Sequence, residues 1–331
     1  MRRVSGMLVA VGLAAGLAAG CGAPSRDAMN AKLQTQQEKL SASNYQSTAK
    51  MTVQMENGSQ TYYIETDYDS PEVYKIALGD ANKNINQIIV RNGSGMFVVS
   101  PTLQKVFRFN GNWAQNQGHI YLYDQILHQL STSPDVKVSK KGDVYTFTMP
   151  ITPENDIVAK QQVDLSVNTL EPKKVVLYDK ENKAVVTIEF TSFQTGVKYQ
   201  QADFDPQKLA SSGAVKTTTV QDSQFTFVEP QEILGDKQDL SDQLSATDWL
   251  LRYTGPYDFT LEEWRPDPGV AGVPGGKLVD LFGVPAVLAG SGNAQRLMWI
   301  HNGVQFSLTS DKLSLDQMKE VAISTFGQVG K

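Results

Sequence analysis

The chain has 331 residues, 40% hydrophobic and 20% charged; these proportions suit a globular protein with a packed core and exclude a disordered stalk. Acidic residues number 35 against 30 basic ones, a net charge of −5, which is the wrong sign for a nucleic-acid partner. The single cysteine excludes an internal disulfide and a thiolate metal site.

The chain opens with Arg2 and Arg3, then an apolar run from Val4 to Ala19. A basic start, a short apolar stretch and small residues before a cleavage point make a secretory signal. The run is too short and too rich in Ala and Gly to span a bilayer. It ends at Leu17-Ala18-Ala19-Gly20-Cys21, which places the only cysteine just after the small residues. That arrangement resembles a bacterial lipobox, with Ala18 where Leu is usual. The resemblance implies cleavage before Cys21 and lipid on Cys21. Residues 1–20 are then the signal, and residues 21–28 a short polar tether off the outer face of the cytoplasmic membrane.

From Met29 to Leu40, apolar residues spaced by four and seven among Gln, Lys and Glu predict an amphipathic helix. From Tyr45 to Phe193 the period changes to two. Met51, Val53 and Met55 alternate with Thr52 and Gln54, and Tyr62, Ile64, Thr66 and Tyr68 alternate with Tyr63, Glu65 and Asp67. Comparable runs cover residues 74–78, 85–91, 96–100, 105–109, 136–140, 144–149, 162–167, 173–179 and 184–193. Each reads as a strand with one face buried. Asn57-Gly58 and Asn92-Gly93 predict tight type I′ hairpins between them, and Asn110-Gly111 and Lys141-Gly142 do similar work. About ten strands on short turns imply a large antiparallel meander, without the βαβ rhythm of a parallel sheet. One insertion, HIYLYDQILHQL from His119 to Leu130, puts Ile120, Tyr123, Leu127 and Leu130 on one helical face. The expected architecture is a curved sheet with helices across its mouth.

The order of lipobox, amphipathic helix, hairpin and the run Gln87-Ile88-Ile89-Val90-Arg91-Asn92-Gly93-Ser94-Gly95-Met96-Phe97-Val98-Val99 resembles the LolA-type lipoprotein carriers. In layout it is most similar to the YdcC/GerS-type lipoproteins of Gram-positive spore formers. The resemblance spans about residues 29–227. It implies an α+β fold: a LolA-like unclosed antiparallel β-barrel, or half-barrel, with helical lids. Tyr62, Tyr74, Ile89, Phe97, Phe107, Tyr123, Leu127 and Leu130 either line a ligand cavity at its centre or make an ordinary core. The half-barrel is expected over residues 29–228, a polar linker over 229–239, and a small α+β domain over 240–331. In that last part, residues 278–282, 285–288, 296–301 and 303–308 read as strands, Asn302-Gly303 as a hairpin, and the Pro- and Gly-rich stretch 266–276 as an exposed loop. Ser314 and Gln317 form a capping box before an apolar face of Leu315, Met318, Ala322 and Phe326. One hairpin and this helix resemble the small domain appended to several extracytoplasmic regulatory lipoproteins.

Signatures of catalysis are missing from the sequence: no nucleophile elbow, zinc-protease motif or phosphate loop is present. His119 and His128 stand nine apart on one helix and point opposite ways, and His301 lies on a strand, so no metal or cofactor is expected. Glu262 and Glu263 adjoin on a strand, face apart, and read as a solvated patch rather than an acid pair. The expectation is a membrane-anchored extracytoplasmic binding protein, not an enzyme. The family resemblance implies a setting in sporulation or germination and a protein partner such as a cell-wall hydrolase. Two alternatives stay open: a carrier of lipid or lipoprotein that holds an acyl chain in the half-barrel, and an RseB-like envelope sensor that binds an anti-sigma factor.

Overall fold

The computed structural model describes residues 24–55, 58–102, 104–109, 120–151, 157–212, 227–265, 269–272, 276–291 and 294–326. The signal segment with Cys21, His119, the Asn110-Gly111 turn and the centre of the Asn57-Gly58 turn fall outside these residues.

Helix α1 (Arg26–Ser41) carries the expected stripe, with Met29, Leu33 and Leu40 buried. The Ser25 hydroxyl caps it by accepting the Ala28 N–H at 3.3 Å. Asp27 in the first turn and Lys39 in the last complement the helix dipole. Six strands follow: β1 (Tyr45–Met55), β2 (Gly58–Asp69), β3 (Val73–Gly79), β4 (Ile85–Asn92), β5 (Gly95–Ser100) and β6 (Lys105–Phe109). After α2 (Tyr123–Thr132) come β7 (Lys137–Lys141), β8 (Val144–Pro150), β9 (Lys160–Ser166), β10 (Pro172–Tyr178) and β11 (Ala184–Thr195). β11 returns beside β1, Met51 opposite Ile188, so two meanders join along the longest strands. The order runs β6-β5-β4-β3-β2-β1-β11-β10-β9-β8-β7, and its two ends do not meet. This is an unclosed antiparallel half-barrel with helices laid on it.

Both helices lie on one face. Leu33, Leu127 and Leu130 are each 1% exposed or less and each contributes about 2 kcal/mol by burial. They join Met51, Ile64, Ile76, Ile89 and Phe107 in one continuous cluster. The opposite face is covered where β3 to β6 cross a one-turn helix (Gln201–Phe204) and α3 (Pro206–Ser212). There Ala77, Ile88, Val90, Phe97, Val99 and Val106 pack against Phe204 and Ala210. Two buried faces explain the unbroken apolar runs Ile88-Ile89-Val90 and Met96-Phe97-Val98-Val99, which alternation alone cannot orient.

The turns follow local chemistry in part. Asn302 and Gly303 both have positive φ, 48° and 77°, as a type I′ turn demands. The turn after β4 differs from the expectation. Its two central residues are Gly93 and Ser94, neither with positive φ. Asn92 ends the strand instead, and its side chain accepts the Ser94 N–H at 2.9 Å and donates to the Phe204 carbonyl at 2.9 Å.

The rest of the chain forms β12 (Lys237–Ser245), β13 (Asp248–Thr254), β14 (Phe259–Trp264), β15 (Gly269–Gly272), β16 (Lys277–Leu281), β17 (Val284–Ser291), β18 (Ala294–His301), β19 (Val304–Ser310) and α4 (Leu315–Ser324). Seven of these strands make a second antiparallel sheet, β12-β13-β14-β19-β18-β17-β16. β12 begins inside the stretch read as a linker, and β12 to β14 add to the strands expected from sequence. The expected 266–276 loop is corrected too. Within it, β15 pairs in parallel with β6, Val270 opposite Val106, on the edge of the first sheet. The chain therefore leaves the second sheet, adds one strand to the first, and returns.

The Ser314 capping box is formed: its hydroxyl accepts the Gln317 N–H at 3.3 Å, and the Gln317 side chain accepts the Ser314 N–H at 2.9 Å. Met318, Val321, Ala322 and Phe326 belong to the same buried cluster as the interior of the half-barrel. The joint is specific. The Tyr121 hydroxyl donates to the Gly283 carbonyl at 2.9 Å. Gly283 has φ 95°, and a Cβ there would stand 2.6 Å from the Tyr121 ring, so only glycine fits. Asn86 also donates to the Asn302 side chain at 2.6 Å.

Candidate functional site

The residues expected to line a cavity divide between two faces. Tyr62, Tyr74, Ile89, Phe107, Tyr123, Leu127 and Leu130 all lie in the interior cluster, each 6% exposed or less. Phe97 does not join them. It sits on the outer face under α3, because it alternates with Met96 and Val98, which point inward. Within the described residues the concave face is occupied by the chain itself: α1, α2, Tyr121 and the second sheet.

A cleft opens where α2 meets the walls made by β2, β3 and β4. It encloses about 270 Å³ and is lined by Tyr68, Glu72, Tyr74, Arg91, Asp124 and His128, with Gln125 beside them. Helix α2 begins at Tyr123, later than expected, and no side chain of its own N-cap residue bonds to it. The Tyr45 hydroxyl replaces that cap: it accepts the Tyr123 N–H at 3.1 Å and donates to Asp124 at 3.2 Å. The second Asp124 oxygen accepts from Gln125 at 3.2 Å. Burial raises the Asp124 carboxyl above the ordinary range, opposed by the Tyr45 and Gln125 hydrogen bonds. Arg91 donates to Glu72 at 2.7 Å and also bonds the Tyr74 side chain. Tyr45 stacks on Tyr68 with centroids 4.9 Å apart, which stiffens this wall. Asp124, Arg91 and Glu72 were not among the residues expected to form a site. The available signal was Asp124 itself, one acid within an otherwise apolar turn.

Two buried groups stand elsewhere. Glu263 is fully buried, which corrects the reading of it as solvated. Strand alternation turns it inward with Phe259 and Leu261 and leaves Glu262 half-buried. One carboxyl oxygen accepts the Val228 N–H at 2.8 Å, the other has no partner among the described residues, and burial pushes its pKa up to about 8. His301 lies between the Tyr62 ring edge, at 6.0 Å, and the Phe326 face, at 4.4 Å. Burial lowers its pKa to about 4, so it is neutral at physiological pH. His128 is exposed on the rim of the cleft. Among the described residues no three His, Cys, Asp or Glu side chains are grouped to hold a metal, and no helix is long and apolar enough to cross a membrane.

A family model described as sporulation protein YdcC-like matches residues 13–204. The chain belongs to the YdcC-like family. Sporulation protein YdcC of Bacillus subtilis (strain 168) is 29% identical to it over 297 residues, 87% of each chain. Among solved structures, the chain is similar to the MucA/MucB complex of Pseudomonas aeruginosa, with a TM-score of 0.35 at 13% identity over 89% of this chain and 97% of that one. It is also similar to a LolA superfamily protein of Nitrosomonas europaea, with a TM-score of 0.28 at 10% identity over 52% of this chain and 97% of that one. A third is the CwlD amidase of Clostridioides difficile in complex with the GerS lipoprotein, at 0.23 and 16% over 54% and 98%. The matched residues include α1, the cleft and strands β1 to β11 of the half-barrel.

Proposed function

We propose that this YdcC-like chain is a lipid-anchored, extracytoplasmic binding protein that acts in sporulation or germination by holding a partner protein and catalyses no reaction. The observation that carries the reading is the filled concave face. Leu33, Tyr121, Tyr123, Ile126 and Leu127, each 1% exposed or less, occupy the space in which a carrier would hold an acyl chain. What remains for a ligand is the outside: clefts, strand edges and helix surfaces. Such surfaces suit recognition of a folded or extended protein. The Leu17–Cys21 stretch supports an anchor at Cys21, and α1 begins five residues later, so the half-barrel would stand close to the membrane face. Anchoring raises the local concentration of a partner that works at the same surface. A cell-wall hydrolase is the partner class that the family resemblance favours.

The experiment compares wild type with Cys21→Ala in sporulating cells. Wild type is expected in the membrane fraction together with a crosslinkable protein partner. Cys21→Ala is expected to leave that fraction and lose most of the crosslink. Equal membrane retention of both forms would remove the anchor from this reading.

A further inference from the structure

The cleft beside α2 has an uneven charge balance. Its one arginine, Arg91, is already engaged by Glu72 at 2.7 Å and by Tyr74. Its aspartate is not neutralised. Asp124 accepts hydrogen bonds from neutral donors, the Tyr45 and Gln125 side chains and the backbone N–H groups of Asp124 and Gln125, and no cationic side chain pairs with it among the described residues. A carboxylate held this way in a partly dry site is held open for a positive charge. The walls suit the same occupant: Tyr68 and Tyr74 flank the opening, and aromatic rings attract ammonium and guanidinium groups. The site is also stiff. Asp124 is fixed by the hydroxyl that caps α2, and that tyrosine stacks on Tyr68 and Phe193. At about 270 Å³ the cleft has room for one long side chain rather than a lipid.

We propose that this cleft receives a single cationic side chain, a lysine ammonium or arginine guanidinium, presented by the partner protein, with Asp124 as its counter-ion. Tyr68 and Tyr74 enclose the stem of that side chain, and the Arg91–Glu72 pair forms the wall that excludes a second cation. His128, one helical turn beyond Asp124, is exposed at the rim. The inference rests on the partner-binding reading above and names the chemistry of the anchoring residue.

The test titrates the full chain with blocked tripeptides, acetyl-Gly-X-Gly-amide with X as Lys, Arg, Gln or Glu, and separately with n-butylamine. Backbone NMR shifts of Tyr123, Asp124 and Arg91 provide the readout. The Lys and Arg peptides are expected to shift these signals with dissociation constants on the order of 1 mM, and the Gln and Glu peptides to leave them in place. Asp124→Asn, which keeps the side-chain shape and one acceptor oxygen for Tyr45 while giving up the acceptor for Gln125, should weaken Lys and Arg binding about tenfold or more. Because His128 is exposed, His128→Glu and His128→Lys keep the fold; the first should tighten binding several-fold and the second weaken it. Unchanged affinity in Asp124→Asn, or indifference to both His128 variants, overturns the proposal. Binding of the Glu peptide instead would hand the cleft to Arg91 and overturn it as well. Binding of n-butylamine without either cationic peptide overturns the assignment to a protein side chain. A captured partner without peptide binding removes this site and leaves the partner reading standing; peptide binding with no partner in cells does the reverse.

Discussion

Glu263→Gln should stabilise the protein, and by an amount that depends on pH in a specific way. In the folded chain the Glu263 carboxyl is buried, with one oxygen on the Val228 N–H and the other unpartnered. Burial lifts its pKa to about 8 from 4.5. The folded state therefore holds a proton that the unfolded state has released between those values, and stability falls as pH rises through that window. At pH 7 the cost is about 3 kcal/mol; it is close to zero at pH 4 and approaches about 5 kcal/mol at pH 9. Glutamine keeps an acceptor for Val228 and cannot ionise, so it removes this cost. Urea unfolding followed by tryptophan fluorescence at pH 4, 5.5, 7 and 8.5 measures the difference. Wild type and variant should nearly coincide at pH 4 and separate progressively above pH 5. A gain that does not change with pH, or a variant weaker than wild type at pH 8.5, would refute the reasoning.

His301 acts in the opposite direction. Its neutral form is favoured by burial, with a folded pKa of about 4 against about 6.5 unfolded. Stability should fall as pH drops from 6.5 toward 4, by about 3 kcal/mol in total, and His301→Phe should flatten that part of a melting-temperature profile. Tyr45→Phe removes both the acceptor for the Tyr123 N–H and the donor to Asp124. It should cost about 1–3 kcal/mol and speed hydrogen exchange of the first turn of α2; unchanged exchange would deny the tertiary cap. Phe97→Ala empties part of the outer cluster and should cost about 3 kcal/mol, with faster proteolysis in α3 than in α1. Equal protection of both helices would contradict the placement of Phe97 under α3.

The parts legible in the sequence are those in which one local rule decides. α1 shows a single apolar stripe. Ser314 and Gln317 stand at the capping-box spacing. Asn302-Gly303 supplies two residues that tolerate positive φ. Illegible parts depended on what lies across the chain. β12 is exposed along nearly all its length, so it has no alternation to read. Phe97 sits in a strand buried on both faces, where period two cannot name the side. β15 pairs with a strand more than 160 positions earlier, and its Gly-rich sequence gives no hint of that. The start of α2 is set by a tyrosine from β1 rather than by a local cap. For the same reason the cleft went unseen: Asp124, Arg91 and Glu72 come from α2, β4 and the turn between β2 and β3, and only folding makes them neighbours. Membership of the YdcC-like family agrees with the resemblance carried by the lipobox, α1 and the run from Gln87 to Val99.

The most direct measurement is native mass spectrometry of the chain crosslinked and captured from sporulating cells. The account predicts one dominant species, this chain plus a stoichiometric second protein. A spectrum of this chain carrying only non-covalent acyl-lipid masses would contradict it.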